Sequence, residues 1–430
     1  MPVTIVAGVQ WGDEGKGKII DVLAQDADFV VRCQGGPNAG HTVVNDLGKF
    51  VLHGLPSGMF APNVLNIIAP GTVINPAGLA GEVAGLATVG LFRDNLLISD
   101  RAHVILEAHR TLDVLMDGDR PESLRVGSTG QGVGPAYSAK AARVGVRLGD
   151  LLHPRLRRER VSLAIDFANA ILADRFGHPG YRVDDVLSDL EPAIEALRPM
   201  IGDTASVMDA ALSGDKKILL EGQLGVMRDL DWGAYPFVTS SYTTPAGIAA
   251  AAGVPPLFVS RVVGVVKAYT TSVGDGPLPT AATGADLEHL QSRGAERGAT
   301  TGRLRRCGWL DLPAVAWACR IGGFTELAVT KLDVLDGLEG IPVCTSYMRN
   351  GQPVGQSDAA ACDWDDLEPV YDRMAGWGTT VGARCYGDLP GEARGYVERL
   401  AEFSGCPTGL VSVGPERGAT IECLLENRLG

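Results

Sequence analysis

The chain has 430 residues, of which 45% are hydrophobic and 21% are charged, and it carries a formal net charge of −13. A chain of this size can bury a large core, but its acidic balance argues against general binding to nucleic acid or to an anionic membrane. No run of about 18 apolar residues occurs, nor does a basic leader or a C-x-x-C pair among the eight cysteines. These features favour a cytoplasmic protein without a membrane span, a zinc site or a disulfide framework.

Apolar runs alternate with helical patterns along the chain. We expect strands at 4–8, 29–33, 65–69, 96–99, 217–221, 261–270, 326–331, 342–346 and 409–413. We expect helices at 15–24, 76–87, 105–116, 156–176, 183–197, 205–213, 312–321 and 391–404. This alternation predicts an α/β fold in which helices flank a large, mostly parallel central sheet. The run 261–270 is almost continuously apolar, which is typical of a central strand buried on both faces.

The domain organisation is expected to be simple. The sequence contains no Pro- or Ser-rich linker, no low-complexity tract and no fixed-period repeat. We therefore expect a single domain over 1–430, with a helical insertion at about 151–215. The arginines at 155, 157, 158 and 160 are more typical of a solvated helix face than of a phosphate patch.

A glycine-rich turn follows the first predicted strand and opens the first predicted helix. From Gly12 to Lys18 the spacing fits G-x-x-x-x-G-K, the loop that binds nucleoside triphosphates through backbone amides and a helix N-terminus. Ile19 follows where such loops usually have Ser or Thr for magnesium, and Asp13 lies inside the loop. A carboxylate beside bound phosphates is repelled unless it binds metal or moves a proton. The sequence therefore predicts a nucleotide site in which Asp13 has a chemical role.

Four further strings favour anion and base recognition. Residues 34–42 combine glycines with Asn38 and His41, and residues 127–137 combine glycines with hydroxyls, which suits a second phosphate. Residues 298–306 follow a Thr-Thr-Gly turn with closely spaced arginines, which suits carboxylate or phosphate recognition. Lys331-Leu-Asp333, at a predicted strand end, is similar to the guanine reader of GTP-binding proteins. Each string alone could be structural; together they describe a triphosphate site, a second phosphate site and an anion clamp.

These strings lie in the order and spacing of a known family. The matching segments are 10–18, 35–42, 129–137, 235–241, 265–271, 298–311, 330–338 and 412–415. On these residues the chain resembles the adenylosuccinate synthetase family over essentially its full length. The resemblance implies a reaction that joins IMP to L-aspartate with GTP and Mg²⁺. It also implies that Asp13 removes the N1 proton of IMP and that His41 and Lys16 complete the catalytic set.

The resemblance further assigns binding residues by matching position. GTP is expected to contact Gly12, Gly15, Lys16, Gly17, Lys18, Gly40, Thr42, Arg305, Lys331, Asp333, Ser412 and Gly414. IMP is expected to contact Asn38, Thr129, Arg143, Gln223, Thr239 and Arg303, and L-aspartate to contact Thr300, Thr301 and Arg303. Magnesium is expected on Asp13 and the Gly40 carbonyl. Arg143 is expected to reach across from a second subunit, which predicts a homodimer.

The chain departs from the family pattern at four positions on the substrate side. Leu224 stands where the family commonly has Gln, with Gln223 one place earlier, and Gln131 stands where Arg is usual, toward the amino-acid side. Ser272 and Tyr242 replace an Arg and an Asn. This leaves open a paralogue that acts on a purine-analogue nucleotide in a specialised pathway. A GTP-binding switch without ligase chemistry is the alternative from a different class.

Overall fold

The computed structural model describes residues 3–272, 274–298, 302–355, 364 and 366–423. Its strands are β1 (Val3–Gly8), β2 (Phe29–Arg32), β3 (His41–Asn45), β4 (Gly48–Leu52), β5 (Leu65–Ile68), β6 (Val73–Ile74), β7 (Leu96–Ser99), β8 (His103–Val104), β9 (Ile201–Gly202), β10 (Ile218–Gly225), β11 (Val259–Lys267), β12 (Thr270–Ser272), β13 (Arg306–Gly308), β14 (Leu310–Asp311), β15 (Glu326–Thr330), β16 (Gly340–Arg349), β17 (Gln352–Val354), β18 (Glu368–Ala375), β19 (Thr408–Ser412) and β20 (Thr420–Glu422).

The helices are distributed along the whole described chain. They are α1 (Lys16–Leu23), α2 (Pro76–Thr88), α3 (Glu107–Gly118), α4 (Val133–Ala142), α5 (Leu148–Leu151), α6 (Pro154–Phe176), α7 (Val183–Leu197), α8 (Thr204–Ser213), α9 (Pro245–Ala252), α10 (Gly284–Arg293), α11 (Leu312–Gly322) and α12 (Gly391–Ser404). Within the described residues, none of them is long and apolar enough to cross a membrane.

A ten-stranded sheet organises the molecule, in the order β20-β19-β15-β11-β1-β10-β2-β5-β7-β9. All neighbouring strands in it are parallel except β19 and β20. The predicted α/β fold with a large, mostly parallel sheet is therefore confirmed. The predicted strand 261–270 divides into β11, which lies between β1 and β15 in the sheet, and the short β12. The predicted strand 342–346 lies instead in a smaller, separate sheet with β14, β17 and β18.

Helices cover both faces of the large sheet. Ile5 of β1 packs in a cluster with Ile248 of α9 and Val315 of α11, whereas its neighbour Val6 packs with Ile19 of α1. Side chains alternate between the faces of a strand, so these two contacts lie on opposite sides of the sheet. Because both faces of the sheet are buried, the sequences of its strands are almost continuously apolar.

The region predicted as a helical insertion contains α6, α7 and α8. One stripe of α6 is buried, and the arginines on its other side include Arg157 and Arg158. These pair with Glu191 and Asp184 of α7, the latter at 2.5 Å. Since the two arginines are engaged by carboxylates, the charged face of α6 is a salt-bridged surface rather than a free phosphate patch.

Parallel pairing places the chemistry of the molecule at one edge. The carboxyl ends of β1, β2, β10, β11 and β15 lie together, because these strands run the same way. The loops that leave these ends include residues 9–15, 33–40 and 331–333, which carry the sequence motifs. Ligands of open parallel sheets bind at this edge, and it is where the candidate site is found.

Candidate active site

The phosphate loop joins β1 to α1. Gly15 caps α1 in a left-handed conformation (φ 92°), a backbone state that glycine adopts without strain. Inside the loop the buried carboxylate of Glu14 accepts hydrogen bonds from the amides of Gln10 (3.1 Å) and Gly12 (2.9 Å) and pairs with the ammonium of Lys16. Glu14 therefore neutralises part of the loop's positive potential, a role that sequence reasoning missed.

Lys18 ties the phosphate loop to the segment after β19. Its Nζ donates to Ser412 Oγ (2.6 Å) and to the carbonyl of Gly414 (2.6 Å). Burial lowers the pKa of Lys18 to about 8, against the carboxylates of Asp333 and Glu416, which act to raise it. The phosphate loop and the segment 412–414 thus form one continuous structure, as the assignment of both to GTP requires.

Asp13 lies in the loop in a left-handed conformation (φ 58°), which is uncommon for a residue with a side chain. Its Oδ2 lies 2.6 Å from Nε of Arg305, so the carboxylate is paired with a cation. Asp13 also lines a cavity of about 450 Å³ next to the loop. The residue that the sequence singled out is therefore in contact with the space where a substrate would bind.

That cavity brings together many of the predicted substrate residues. Asn38 and Gly40 line it from the loop after β2, Thr129 from the loop before α4, and Thr239 from the loop before α9. Gly12, Asp13 and Gly298 also line it. Thr300 and Thr301, assigned to aspartate, lie outside the described residues. A nucleotide monophosphate beside the phosphate loop is consistent with this lining.

Two arginines among the predicted contacts do not line the cavity. Arg143 ends α4 with an exposed side chain, and the side chain of Arg303 is exposed as well. Neither belongs to the residues that line the cavity within this chain. Their assignments to IMP and aspartate stay predictions.

His41 begins β3 and is held from one side by a buried carboxylate. Its Nδ1 hydrogen bonds to Glu221, and Glu221 in turn accepts from the amide (2.8 Å) and hydroxyl (2.7 Å) of Ser57. Burial acts to raise the pKa of Glu221, but the contacts with His41 and the charge of Arg32 outweigh it, and the pKa is lower than usual. The Nε2 of His41 is buried and has no hydrogen-bond partner among the described residues.

The predicted guanine reader follows β15. Lys331 is left-handed (φ 57°), and its Nζ donates to the carbonyl of Gly294 and to Glu296 Oε1 (2.9 Å). Burial raises the pKa of Asp333, and its Oδ1 has no hydrogen-bond partner among the described residues. A buried acceptor without a partner is costly unless a ligand satisfies it, which suits an atom that reads donor groups of a base.

Gln223 and Leu224 point in different directions at the end of β10. Gln223 lies against Gly35, away from the cavity, and neither polar atom of its side chain has a partner in the described chain. Leu224 is left-handed (φ 58°) and lines the cavity, with Cδ2 close to Gly12. Leu224 lines the cavity and Gln223 does not, and the expected IMP contact of Gln223 stays a prediction.

The other departures lie outside the first cavity. Gln131, between two glycines of positive φ, lines a second cavity of about 410 Å³ together with Arg32 and Glu82. Ser272 is buried and accepts from Arg228 (2.7 Å), and Tyr242 is exposed. These three positions are therefore neighbours of the site rather than part of its wall.

Three buried glutamates carry much of the site's architecture and were not assigned roles from the sequence. They are Glu14, Glu221 and Glu296. Each is a charged residue inside or beside an apolar or glycine-rich segment, and charged residues are almost never fully buried unless they are paired. A glutamate in such a segment is therefore a sequence signal for a buried, paired carboxylate, although it does not identify the partner.

The fold and this geometry define a class: an α/β protein with a phosphate loop at the carboxyl edge of a parallel sheet, beside a cavity that a loop carboxylate lines. A family model described as Adenylosuccinate synthetase matches residues 5–421. The chain belongs to the adenylosuccinate synthetase family and is a GTP-dependent ligase of purine nucleotide biosynthesis. The resemblance inferred from the motifs is thereby confirmed.

Individual relatives agree over the full length. The adenylosuccinate synthetase of Moorella thermoacetica is 45% identical over 422 residues, which cover 98% of this chain and 99% of the relative. The fully ligated structure of adenylosuccinate synthetase from Plasmodium falciparum superposes with a TM-score of 0.91 at 34% identity, covering 98% of this chain and 100% of the other. Succinoaminodeoxyadenylate synthetase of cyanophage S-2L, solved with dGMP and dATP, shares only the fold, at a TM-score of 0.62, 20% identity and coverage of 98% and 95%.

Proposed function

We propose that this chain joins IMP to L-aspartate, with GTP as phosphoryl donor, and forms adenylosuccinate by way of 6-phosphoryl-IMP. One observation supports this most directly: the carboxylate of Asp13 lies inside a phosphate loop and lines the adjoining cavity. The exocyclic oxygen O6 of IMP is a poor leaving group, so it has to be activated before an amine displaces it. A base and a phosphoryl donor in one cavity meet that requirement.

Asp13 accepts the N1 proton of IMP, which leaves negative charge on O6. O6 then attacks the γ-phosphorus of GTP, the bond from that phosphorus to the bridging oxygen breaks, and GDP leaves. The amine of aspartate next attacks C6, and phosphate departs with the O6 oxygen. Arg305, which pairs with Asp13 at 2.6 Å, is the cation next to this base and can also meet an anionic ligand.

His41 supports the phosphoryl step from the side opposite its carboxylate. Nδ1 hydrogen bonds to Glu221, so in the imidazolium form, in which both ring nitrogens donate, the N–H at Nε2 is left to meet a transferring phosphoryl oxygen. Asp13 and the Gly40 carbonyl line one cavity, a donor set suited to Mg²⁺, which commonly uses one carboxylate plus substrate phosphates. When bound, Mg²⁺ supplies charge neutralisation on the phosphates.

The remaining assignments complete the proposal. IMP is held by Asn38, Thr129, Thr239 and, from a second subunit, Arg143; GTP is held by the phosphate loop, Lys331, Asp333 and the 412–414 segment; aspartate is held by the loop that contains Thr300, Thr301 and Arg303. The protein acts as a cytoplasmic homodimer. The exposure of Arg143 and its distance from the lining of its own cavity support a contribution between subunits.

The test is phosphate release with every combination of substrates. A ligase releases phosphate only when IMP, aspartate and GTP are all present, and the purine product absorbs at a different wavelength from IMP. Phosphate release from GTP alone, unaffected by the other two substrates, would instead identify a GTP-binding switch.

Leu224 favours a second candidate, a paralogue that carries out the same chemistry on a purine-analogue nucleotide. It presents an apolar side chain to the cavity beside Gly12, while the amide of Gln223 is turned away. An acceptor with a less polar ring edge would suit this wall better than IMP does. Repeating the phosphate-release assay with IMP analogues decides between the two acceptors by their kcat/KM ratio.

Asp333→Asn is expected to relax the preference for guanine toward xanthine nucleotides. The carboxylate accepts from N1–H and the 2-amino group, whereas the amide can also donate to the 2-oxo group of xanthine. The kcat/KM ratio of GTP to XTP should fall by about 10-fold or more, equivalent to roughly 1.4 kcal/mol. An unchanged ratio, at normal thermal stability, removes the assignment of Asp333 as reader.

GTP affinity is expected to decrease above pH 8. The folded-state pKa of Lys18 is about 8, below its usual 10.5, and nearby phosphates favour the charged form. Above about pH 8, nucleotide binding therefore takes up a proton at Lys18. Calorimetry of a non-hydrolysable GTP analogue in buffers of different ionisation enthalpy measures the uptake. Lys18→Arg keeps the charge and should abolish it; a pH-independent affinity of the unmodified protein contradicts the prediction.

A further inference from the structure

A single buried carboxylate stands between the two ends of the proposed GTP site. Glu296 is fully buried, and its Oε1 accepts from Lys331 at 2.9 Å while its Oε2 accepts from Arg305 NH1 at 2.7 Å. Lys331 belongs to the proposed base end, and Arg305 pairs with Asp13 at the phosphate end. The two cations are therefore fixed relative to one another through one side chain.

Glu296 is braced from the interior of the protein. Lys267 donates to its Oε1 at 2.9 Å, and the hydroxyl of Tyr269 donates to the same oxygen. Both side chains are fully buried. The side chain of Gln10 holds this pair in turn, since its Nε2 donates to the carbonyl of Tyr269 at 3.0 Å and its Oε1 accepts from the amide of Lys267 at 2.9 Å. The backbone amide of Gln10 donates to Glu14, so this series of hydrogen bonds continues into the phosphate loop.

Glu296 also joins the two ends of the segment 298–303, the proposed aspartate loop. The amide of Arg305 donates to the carbonyl of Glu296 at 3.0 Å, and Arg297 and Leu304 form an antiparallel bridge just inside it. The loop carries the residues proposed for aspartate. Backbone and side chain of Glu296 therefore both hold Arg305 at the point where the loop leaves the core.

The electrostatics require a charged carboxylate here. Burial acts to raise the pKa of Glu296, but the positive charges of Lys267, Lys331 and Arg305 outweigh it and hold that pKa well below its usual value. A neutral side chain of the same shape would leave three cations close together with less compensation. Because Lys267 is fully buried, the repulsion between these cations would then displace Lys331 and Arg305, the two that are proposed to contact GTP.

We propose that Glu296 is a positioning residue that sets Lys331 and Arg305 for GTP and fixes the base of the aspartate loop. The proposal rests on the function proposed above, and it goes beyond the substrate contacts because Glu296 contacts no substrate itself. It predicts a specific kinetic pattern. GTP and aspartate should both bind less well without Glu296. IMP should be affected less, because Asn38, Thr129 and Thr239, three of its predicted contacts, lie on other elements.

The test compares Glu296→Gln with Glu326→Gln. Glu326 is a matched control because it is also a buried carboxylate paired with an arginine, Arg261, at the opposite end of the strand that leads to Lys331. Glu296→Gln is expected to raise the KM of GTP at least about tenfold and that of aspartate severalfold, with the KM of IMP within about twofold of the parent. Glu326→Gln should leave all three KM values unchanged, and Glu296→Asp should recover part of the GTP effect.

A merely structural role gives different results. Loss of folding lowers the active fraction and the melting temperature without a selective rise in two of three KM values. Equal changes in all three, the same change in Glu326→Gln, or a GTP KM within twofold of the parent would overturn the proposal. Titration of the ligand-free protein with a non-hydrolysable GTP analogue tests Glu296 independently of turnover, so a failure of the proposed reaction and a failure of this proposal give separate results.

Discussion

Asp13→Asn is expected to abolish turnover while GTP still binds. The amide has the shape of the carboxylate but cannot take the N1 proton of IMP, so O6 never becomes nucleophilic enough to attack the γ-phosphorus. Removal of a general base commonly costs about 10²- to 10⁴-fold in rate, and we expect the upper part of that range because phosphoryl transfer depends on the deprotonated purine. Arg305 keeps its contact with Glu296 in the variant, so the surrounding site is preserved.

The measurement separates chemistry from binding. Single-turnover phosphate release should fall by about 10³-fold or more, while the affinity for a GTP analogue changes by no more than about threefold. Asp113→Asn is the control, because Asp113 lines the same cavity and its carboxylate accepts a hydrogen bond from the backbone amide of Gly132 (2.9 Å). Normal phosphate release by Asp13→Asn would contradict the role of base.

Contiguous motifs are the part of the site that the sequence predicts well. Asp13 could be recognised because a carboxylate interrupts an otherwise standard phosphate loop within seven residues, and the structure brings that loop to the substrate cavity. The strands that flank it were also predictable, since both faces of the sheet are buried and the strands are almost continuously apolar. Local pattern and local structure coincide there.

Contacts between distant segments were not predictable. His41 and Glu221 are 180 residues apart in sequence, and Glu296 meets Lys331 and Lys267 across 35 and 29 residues. Each glutamate is visible in the sequence as a charge in an apolar or glycine-rich context, but its partner is decided by strand order. No local rule supplies strand order, because it depends on which crossovers the helices make.

The directions of the side chains at the end of β10 could not be predicted from the sequence either. A strand alternates its side chains between two faces, so Gln223 and Leu224 have to point apart. Which of the two enters the cavity depends on the left-handed conformation of Leu224, which a leucine rarely adopts and which composition does not reveal. The same holds for Gln131, whose direction is determined by the positive-φ glycines on both sides of it.

His41→Asn is expected to have the second-largest effect, a loss of about 10²- to 10³-fold in kcat. The asparagine side chain can occupy the space near Glu221, but it is shorter than the imidazole and brings no donor to the position of Nε2. The charge that develops on the transferring phosphoryl group is then poorly compensated. Because that charge is absent from the bound substrates, the KM values of IMP and aspartate should change little. Steady-state kinetics with each substrate varied in turn provides the measurement.

Glu221→Gln tests whether the orientation of the His41 imidazole matters for the reaction, because the imidazole itself is retained in this variant. The carboxylate receives three hydrogen bonds, from His41 Nδ1 and from the amide and hydroxyl of Ser57, and an amide can satisfy only part of this set. The imidazole then loses the partner that directs Nε2 outward, and a loss of about 10- to 100-fold is expected, as for other residues that orient a functional histidine. In the double variant with His41→Asn the two losses should not add, since there is no imidazole left to orient. Additive losses would mean that Glu221 acts on the reaction independently of His41.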